Sequence, residues 1–201
     1  MCGPPTPFKG VGDVFVTAHS STSWMASAFN LIATTLRGQE VLGVATLSSL
    51  LAEMGDESAK VEITRIQGVL TAYTRLDPFL VVERAREIAS KEPFKVEGIM
   101  RLIPVELVAR SRVEEIAASV DLLKDKIPPD ATYKVVVEKR HTQLSSRELI
   151  EAVAARVDRR VSLENPDWIV LVEVLGGVTG ISVLRPSQIL SLGRLEPRPG
   201  G

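Results

Sequence analysis

The segment from Trp168 to Leu184 constrains this chain more than any other. Trp168 to Leu175 and Ile181 to Leu184 are short apolar runs rich in β-branched residues, which reads as a pair of strands. Gly176, Gly177 and Gly180 lie between them and supply the backbone freedom of a tight hairpin. Whatever fold the chain takes therefore includes a β-sheet near its C-terminal end.

Upstream of this hairpin, strands and capped helices alternate. Ser145 with Glu148, and Ser111 with Glu114, have the spacing of capping boxes. The first opens a helix on Leu149, Ile150, Val153 and Val157, and the second opens one on Val113, Ile116, Ala117, Val120 and Leu123. Tyr133 to Glu138 reads as a strand between them, and Pro128-Pro129-Asp130 and Asn165-Pro166-Asp167 read as turns. Asp77-Pro78 supplies a cap and a first-turn proline to a helix that Pro93 stops.

Before Asp77, Val61 to Ile66 and Gly68 to Thr74 read as two short strands or one long bent one, and a strand at Ile99 to Val105 follows the helix. Val14 to Ala18 suits a buried strand, and Met25, Ala28, Phe29, Ile32 and Leu36 fall on one helical face that ends at Gly38. Residues 39–59 read equally well as a strand or as the start of another helix. The resulting order is β, α, β, β, α, β, which predicts an α/β (α+β) chain whose N-terminal domain is a ferredoxin-like sandwich. The expected boundaries are a loose arm over 1–12, the N-terminal domain over 13–97, a second domain over 98–192 and a frayed tail over 193–201.

Composition narrows the functional classes. With 201 residues, 45% hydrophobic and 24% charged, the chain has material for two small folded domains. No apolar run reaches the roughly 18 to 20 residues of a membrane helix, and the start lacks the pattern of a secretory signal, so no membrane partner and a cytoplasmic location are expected. A single cysteine, Cys2, and two distant histidines, His19 and His141, offer no spacing for a metal cage, so neither metal nor cofactor is expected. Gly10-Val11-Gly12 precedes the first expected strand, unlike a nucleotide-binding loop. His19 beside Ser20 lacks a nucleophile elbow. A catalytic role is not expected.

The net charge of −1 argues against a broadly basic nucleic-acid binder, yet the average hides a local bias. From Tyr133 to Arg160 there are seven basic side chains against four acidic ones. Within that stretch, Lys139-Arg140-His141-Thr142-Gln143 is a polar basic run leading into the helix capped by Ser145. The free N–H groups and partial positive charge of a helix N-terminus suit a phosphate at this place. Arg147 falls in the first helical turn, disfavoured there unless an anion or Glu151 compensates. Arg156, Arg159 and Arg160 are read as ending the same helix, where basic residues are at home without a ligand. Arg101, inside an apolar strand, either lies on an exposed face or aims at a ligand. Aromatics make up 4% and do not interleave with basic residues, so base stacking is not the expected mode.

Met100-Arg101-Leu102-Ile103-Pro104-Val105, the capped helix after it, Tyr133 to Arg140 leading to Ser146-Arg147-Glu148, and Val161 to Asp167 before Trp168 to Val174 together resemble a THUMP domain. More narrowly the chain is similar to the stand-alone THUMP adaptors that assist RNA cytidine acetyltransferases in forming N4-acetylcytidine in tRNA. The resemblance covers residues 66–192. It implies a mixed sheet with flanking helices and tRNA binding near the acceptor stem. It also implies chemistry supplied by a separate tRNA-modifying enzyme and RNA contacts from Arg101, Lys139, Arg140, His141 and Arg147. Two other readings stand beside it: a scaffold that docks an enzyme without touching RNA, and a small enzyme whose site is built from His19, Ser20 and residues 39–59.

Overall fold

The structure is a computed structural model and describes residues 29–192. The expected arm, the strand over Val14 to Ala18, the His19-Ser20 pair and the tail from Gly193 lie outside the described residues. Within them the chain runs β1 (Leu31–Thr34), α1 (Glu40–Glu53), β2 (Lys60–Ile63), β3 (Val69–Tyr73), α2 (Pro78–Lys91), β4 (Arg101–Pro104) and β5 (Leu107–Arg110). It continues through α3 (Val113–Asp121), β6 (Thr132–Arg140), α4 (Ser146–Ala154), β7 (Arg160–Val161), β8 (Trp168–Leu175), β9 (Val178–Leu184) and β10 (Leu190–Ser191).

The first sheet has the order β10-β4-β1-β3-β2, with every neighbouring pair antiparallel. Its β-α-β-β-α-β order is the one expected, but it is reached with different residues. Ile32 and Leu36, expected on a helix, belong to or follow β1, while α1 occupies the stretch that read ambiguously. The cause is burial on both faces: Leu31 and Ala33 face one core and Ile32 another, so the strand carries no polar alternation to mark it. Gly38, at φ 83, serves the turn between β1 and α1. The α2 start is as expected, with the Asp77 carboxylate accepting from the amides of Phe79 and Leu80. Leu47, Leu50 and Leu51 of α1 and Val81, Val82 and Ala85 of α2 cover one face of this sheet.

The second sheet has the order β5-β9-β8-β6-β7 and is mixed, with β6 parallel to both β7 and β8. Ile116 and Val120 of α3 and Leu149 and Val153 of α4 pack on Tyr133, Val170, Val172, Ile181 and Val183. The remaining faces of the two sheets meet each other through Ile32, Val69, Ile103 and Val105 on one side and Ile169, Leu171, Leu175 and Leu184 on the other. The layers are therefore helix, sheet, sheet, helix. Gly180 is part of this contact: a Cβ there would stand 3.2 Å from Ile32 Cδ1 and from Val105 Cγ1. The hairpin turn itself is Gly176-Gly177, with Gly176 at φ 64, so the expected turn role of Gly180 is replaced by close sheet packing.

Three further expectations change. Residues 98–104, expected in the second domain, instead contribute β4 to the first sheet, and β10 returns after the second to pair Leu190 with Leu102. Strand pairing is non-local, so chain order does not reveal which sheet β4 joins. Ser111 does not cap α3; the N-cap is Arg112, and the Ser111 hydroxyl lies 2.9 Å from that of Thr179. Helix α4 ends at Ala154, so Arg156, Arg159 and Arg160 follow it. Among the described residues no helix is long and apolar enough to cross a membrane.

Candidate nucleic-acid interface

Strand β6 delivers Lys139 and Arg140 to its C-terminal end, where the chain turns sharply at His141. His141 has φ 53, a left-handed conformation uncommon outside glycine. The turn is well tied: Thr142 Oγ1 accepts from the Leu144 amide at 3.2 Å, and Lys139 Nζ donates to the Leu144 carbonyl. Ser145 then caps α4, its hydroxyl accepting from the Glu148 amide at 3.3 Å. The Gly176-Gly177 turn lies alongside, with the Gly176 amide donating to the Arg140 carbonyl at 2.9 Å. A basic strand end, a fixed loop and a helix N-terminus thus converge, as the sequence led one to expect.

The five candidate side chains differ in availability. Lys139, His141 and Arg147 are exposed. Arg147 Nε lies 2.7 Å from Glu151 Oε1, the intrahelical pair anticipated, yet its side chain is 87% exposed. An exposed i,i+4 pair contributes about 0.3–0.5 kcal/mol, so it yields readily to a better anion. Arg140 is more committed. Its Nη1 donates to Glu173 Oε2 at 2.8 Å, and its side chain is 24% exposed. Arg101 reaches the same place from the other sheet, its Nη1 3.9 Å from Glu138 Oε1.

Strand alternation explains this meeting. Arg101 shares a face with Ile103, Arg140 and Glu138 with Val136, and Glu173 with Leu171 and Leu175, all pointing into the layer between the sheets. Glu173 is 1% exposed, and its Oε1 has no hydrogen-bond partner among the described residues. Burial pushes its carboxyl above the ordinary range, while Arg140 and Arg101 pull it back and Glu138 pushes it further up. The network is two arginines and two carboxylates, one arginine from each sheet. Sequence reading missed both acids, although a lone glutamate inside the run WIVLVEVL was the available signal.

The other basic residues of the segment are used structurally. Arg156 Nη1 lies 2.8 Å from Asp121 Oδ2, Arg159 Nε donates to the Ile127 carbonyl at 3.0 Å, and Arg160 Nη2 donates to the Asp130 carbonyl at 3.3 Å. The 165–167 turn is structural too, since Asp167 Oδ2 accepts from the Thr132 amide at 2.8 Å and from its hydroxyl at 2.7 Å. Among the described residues no three His, Cys, Asp or Glu side chains gather as a metal group would require.

Residues 110–184 match the THUMP domain family. No curated protein matches the chain. Among solved structures, PH1313 from Pyrococcus horikoshii Ot3 is similar at 14% identity and a TM-score of 0.58, covering 79% of this chain and 55% of that one. TrmN from Thermus thermophilus is similar at 18% identity and a TM-score of 0.50, with 78% and 45% covered. A 4-thiouridine synthetase, solved as an RNA complex with bound ATP, is similar at 16% identity and a TM-score of 0.50, with 79% and 42% covered. At such identities the likeness is one of fold, and the chain spans about half the length of these structures.

Proposed function

We propose, from the match of residues 110–184 to the THUMP domain family, that this chain is a tRNA-binding adaptor that presents the acceptor-stem region of tRNA to a separate modification enzyme. The partner in this reading is an RNA cytidine acetyltransferase that forms N4-acetylcytidine, working in the cytoplasm, with no catalysis by the chain itself. The observation that carries the proposal is the tied 139–145 loop running into the capped N-terminus of α4. Exposed Lys139, His141 and Arg147 line this loop and the first turn of α4, while Arg140 and Arg101 lie on the other face of the second sheet, paired with carboxylates in the layer between the sheets. Such an arrangement grips phosphates and reads RNA by shape, consistent with the scarcity of aromatic residues.

The test is tRNA affinity as a function of salt. Each phosphate contact contributes a slope of about 0.7–0.9 in log affinity against log salt, so Lys139→Ala with Arg147→Ala lowers the slope by about 1.5. Both side chains are exposed, so the overall fold is retained, while Lys139→Ala also removes the bond to the Leu144 carbonyl, which Arg147→Ala alone leaves in place. A wild-type slope near zero, or an unchanged slope in the variant, overturns RNA binding at this site.

One observation favours the second reading, a scaffold that never touches RNA: Arg101 and Arg140 are already paired with carboxylates. That reading predicts that enzyme capture survives nuclease treatment while free tRNA fails to bind.

A further inference from the structure

At the end of the first sheet's helical layer remote from Arg101, the C-terminal turn of α1 and the first turns of α2 flank a groove of about 430 Å³. Arg101 pairs with Thr34, and Gly98 packs on Leu42 and Gly43 at the start of α1. The groove lies beside Met54, past the other end of that fourteen-residue helix. At 1.5 Å per residue the separation is roughly 20 Å. Its floor is apolar, formed by Met54, Leu76, Val81 and Leu80, the last 60% exposed. Its rim carries Asp77, Glu83 and Glu87 against a single cation, Arg84, which lies 3.8 Å from Glu87. Glu83 has no partner among the described residues.

We propose that this groove docks a segment of a protein partner that presents an apolar side chain flanked by lysine or arginine. Exposed Leu80 over the apolar floor leaves room for an apolar side chain, and the net negative rim both selects a basic segment and repels RNA phosphate. The proposal rests on the adaptor reading, since it places the enzyme-binding surface at the end of the molecule away from the RNA-binding loop. One chain then holds tRNA and its partner without the two competing.

The probe is a short peptide with leucine between lysines, compared with a peptide in which glutamate replaces lysine. Full-length protein labelled at methionine and leucine methyls is titrated with each. Shifts at Met54 and Leu80 with the lysine peptide alone support the proposal. So does a loss of affinity of about ten-fold in Glu83→Lys with Glu87→Lys, and a smaller loss in Leu80→Ser. Equal binding of both peptides, or shifts elsewhere, overturns it. A dimer that Leu80→Ser dissolves, or contacts between Leu80 and residues 1–28, also overturns it by naming a different occupant. tRNA affinity is measured on the same variants: unchanged tRNA binding with lost peptide binding isolates the groove. Failure of tRNA binding with peptide binding intact instead counts only against the RNA site.

Discussion

Glu173 interrupts an otherwise apolar strand with a carboxylate that, among the described residues, only Arg140 contacts directly. Arg140→Ala leaves that charge buried and alone, and the expected cost is about 3 kcal/mol in urea unfolding. Arg140→Ala with Glu173→Leu, which replaces the pair by apolar packing, recovers most of it. The pH dependence follows from the raised carboxyl. Its folded-state pKa lies above the unfolded one, so the protonated form favours the fold, and stability is lost as pH rises from about 4.3, the unfolded value, through the folded value. Removing Arg140 raises the folded-state pKa further, so the penalty of Arg140→Ala grows as pH rises from the wild-type folded value toward the variant's higher one.

Asp56 shows the opposite sign. Hydrogen bonds from the hydroxyls of Thr74 and Ser58 and the amide of Arg75 hold its carboxyl well below the ordinary range. The stability it contributes is full above the unfolded pKa of about 3.9 and fades as pH falls toward the folded value. Asp56→Asn should melt lower than wild type at neutral pH and converge with it in acid. Gly180→Val, which forces atoms against Ile32 and Val105, should lower the unfolding free energy by about 1–3 kcal/mol, read in urea unfolding. The basic members of the candidate site were legible because a strand end followed by a capped helix is a local pattern. Glu138 and Glu173 were not, because their partners depend on which face each strand presents.

Among the elements, those whose ends are marked by side chains of their own were legible. Asp77 and Ser145 cap the helices they were expected to cap, and Asp77→Ala should cost about 1 kcal/mol, read as a lower melting temperature with the fold retained. Ser111 fits the same pattern in sequence but bonds to Thr179 of a distant strand, so α3 starts one residue later. Strand β1 was misread for a different reason. A central strand that is buried on both faces has no alternation, and its apolar residues also fit a helical stripe. Helix α4 ends early because Tyr133, buried beneath it, donates to the Val157 carbonyl at 3.2 Å and fixes the chain as it leaves the helix.

For the molecule as a whole, the return of the chain after β9 is decisive. Arg86 of α2 donates to the carbonyls of Ser187 and Ile189, and Leu190 enters the first core at 4% exposure. Leu190→Ala should cost about 2–5 kcal/mol, with hydrogen exchange accelerating in β4 although the substitution lies some ninety residues away by the register of Leu190 with Leu102. The two sheets are thus joined by the inter-sheet apolar layer, the arginine and carboxylate network and a crossing strand. The amino-acid sequence by itself determined helices α2, α3 and α4, the hairpin at Gly176-Gly177, two of the helix caps and the basic loop before α4, because each of these is set by residues a few positions apart. Only the tertiary structure decided that β4 and β10 share a sheet, that Gly180 lets two sheets touch, and that Arg101 and Arg140 meet across the seam. Those outcomes depend on pairings between residues far apart in the chain, which no local periodicity encodes.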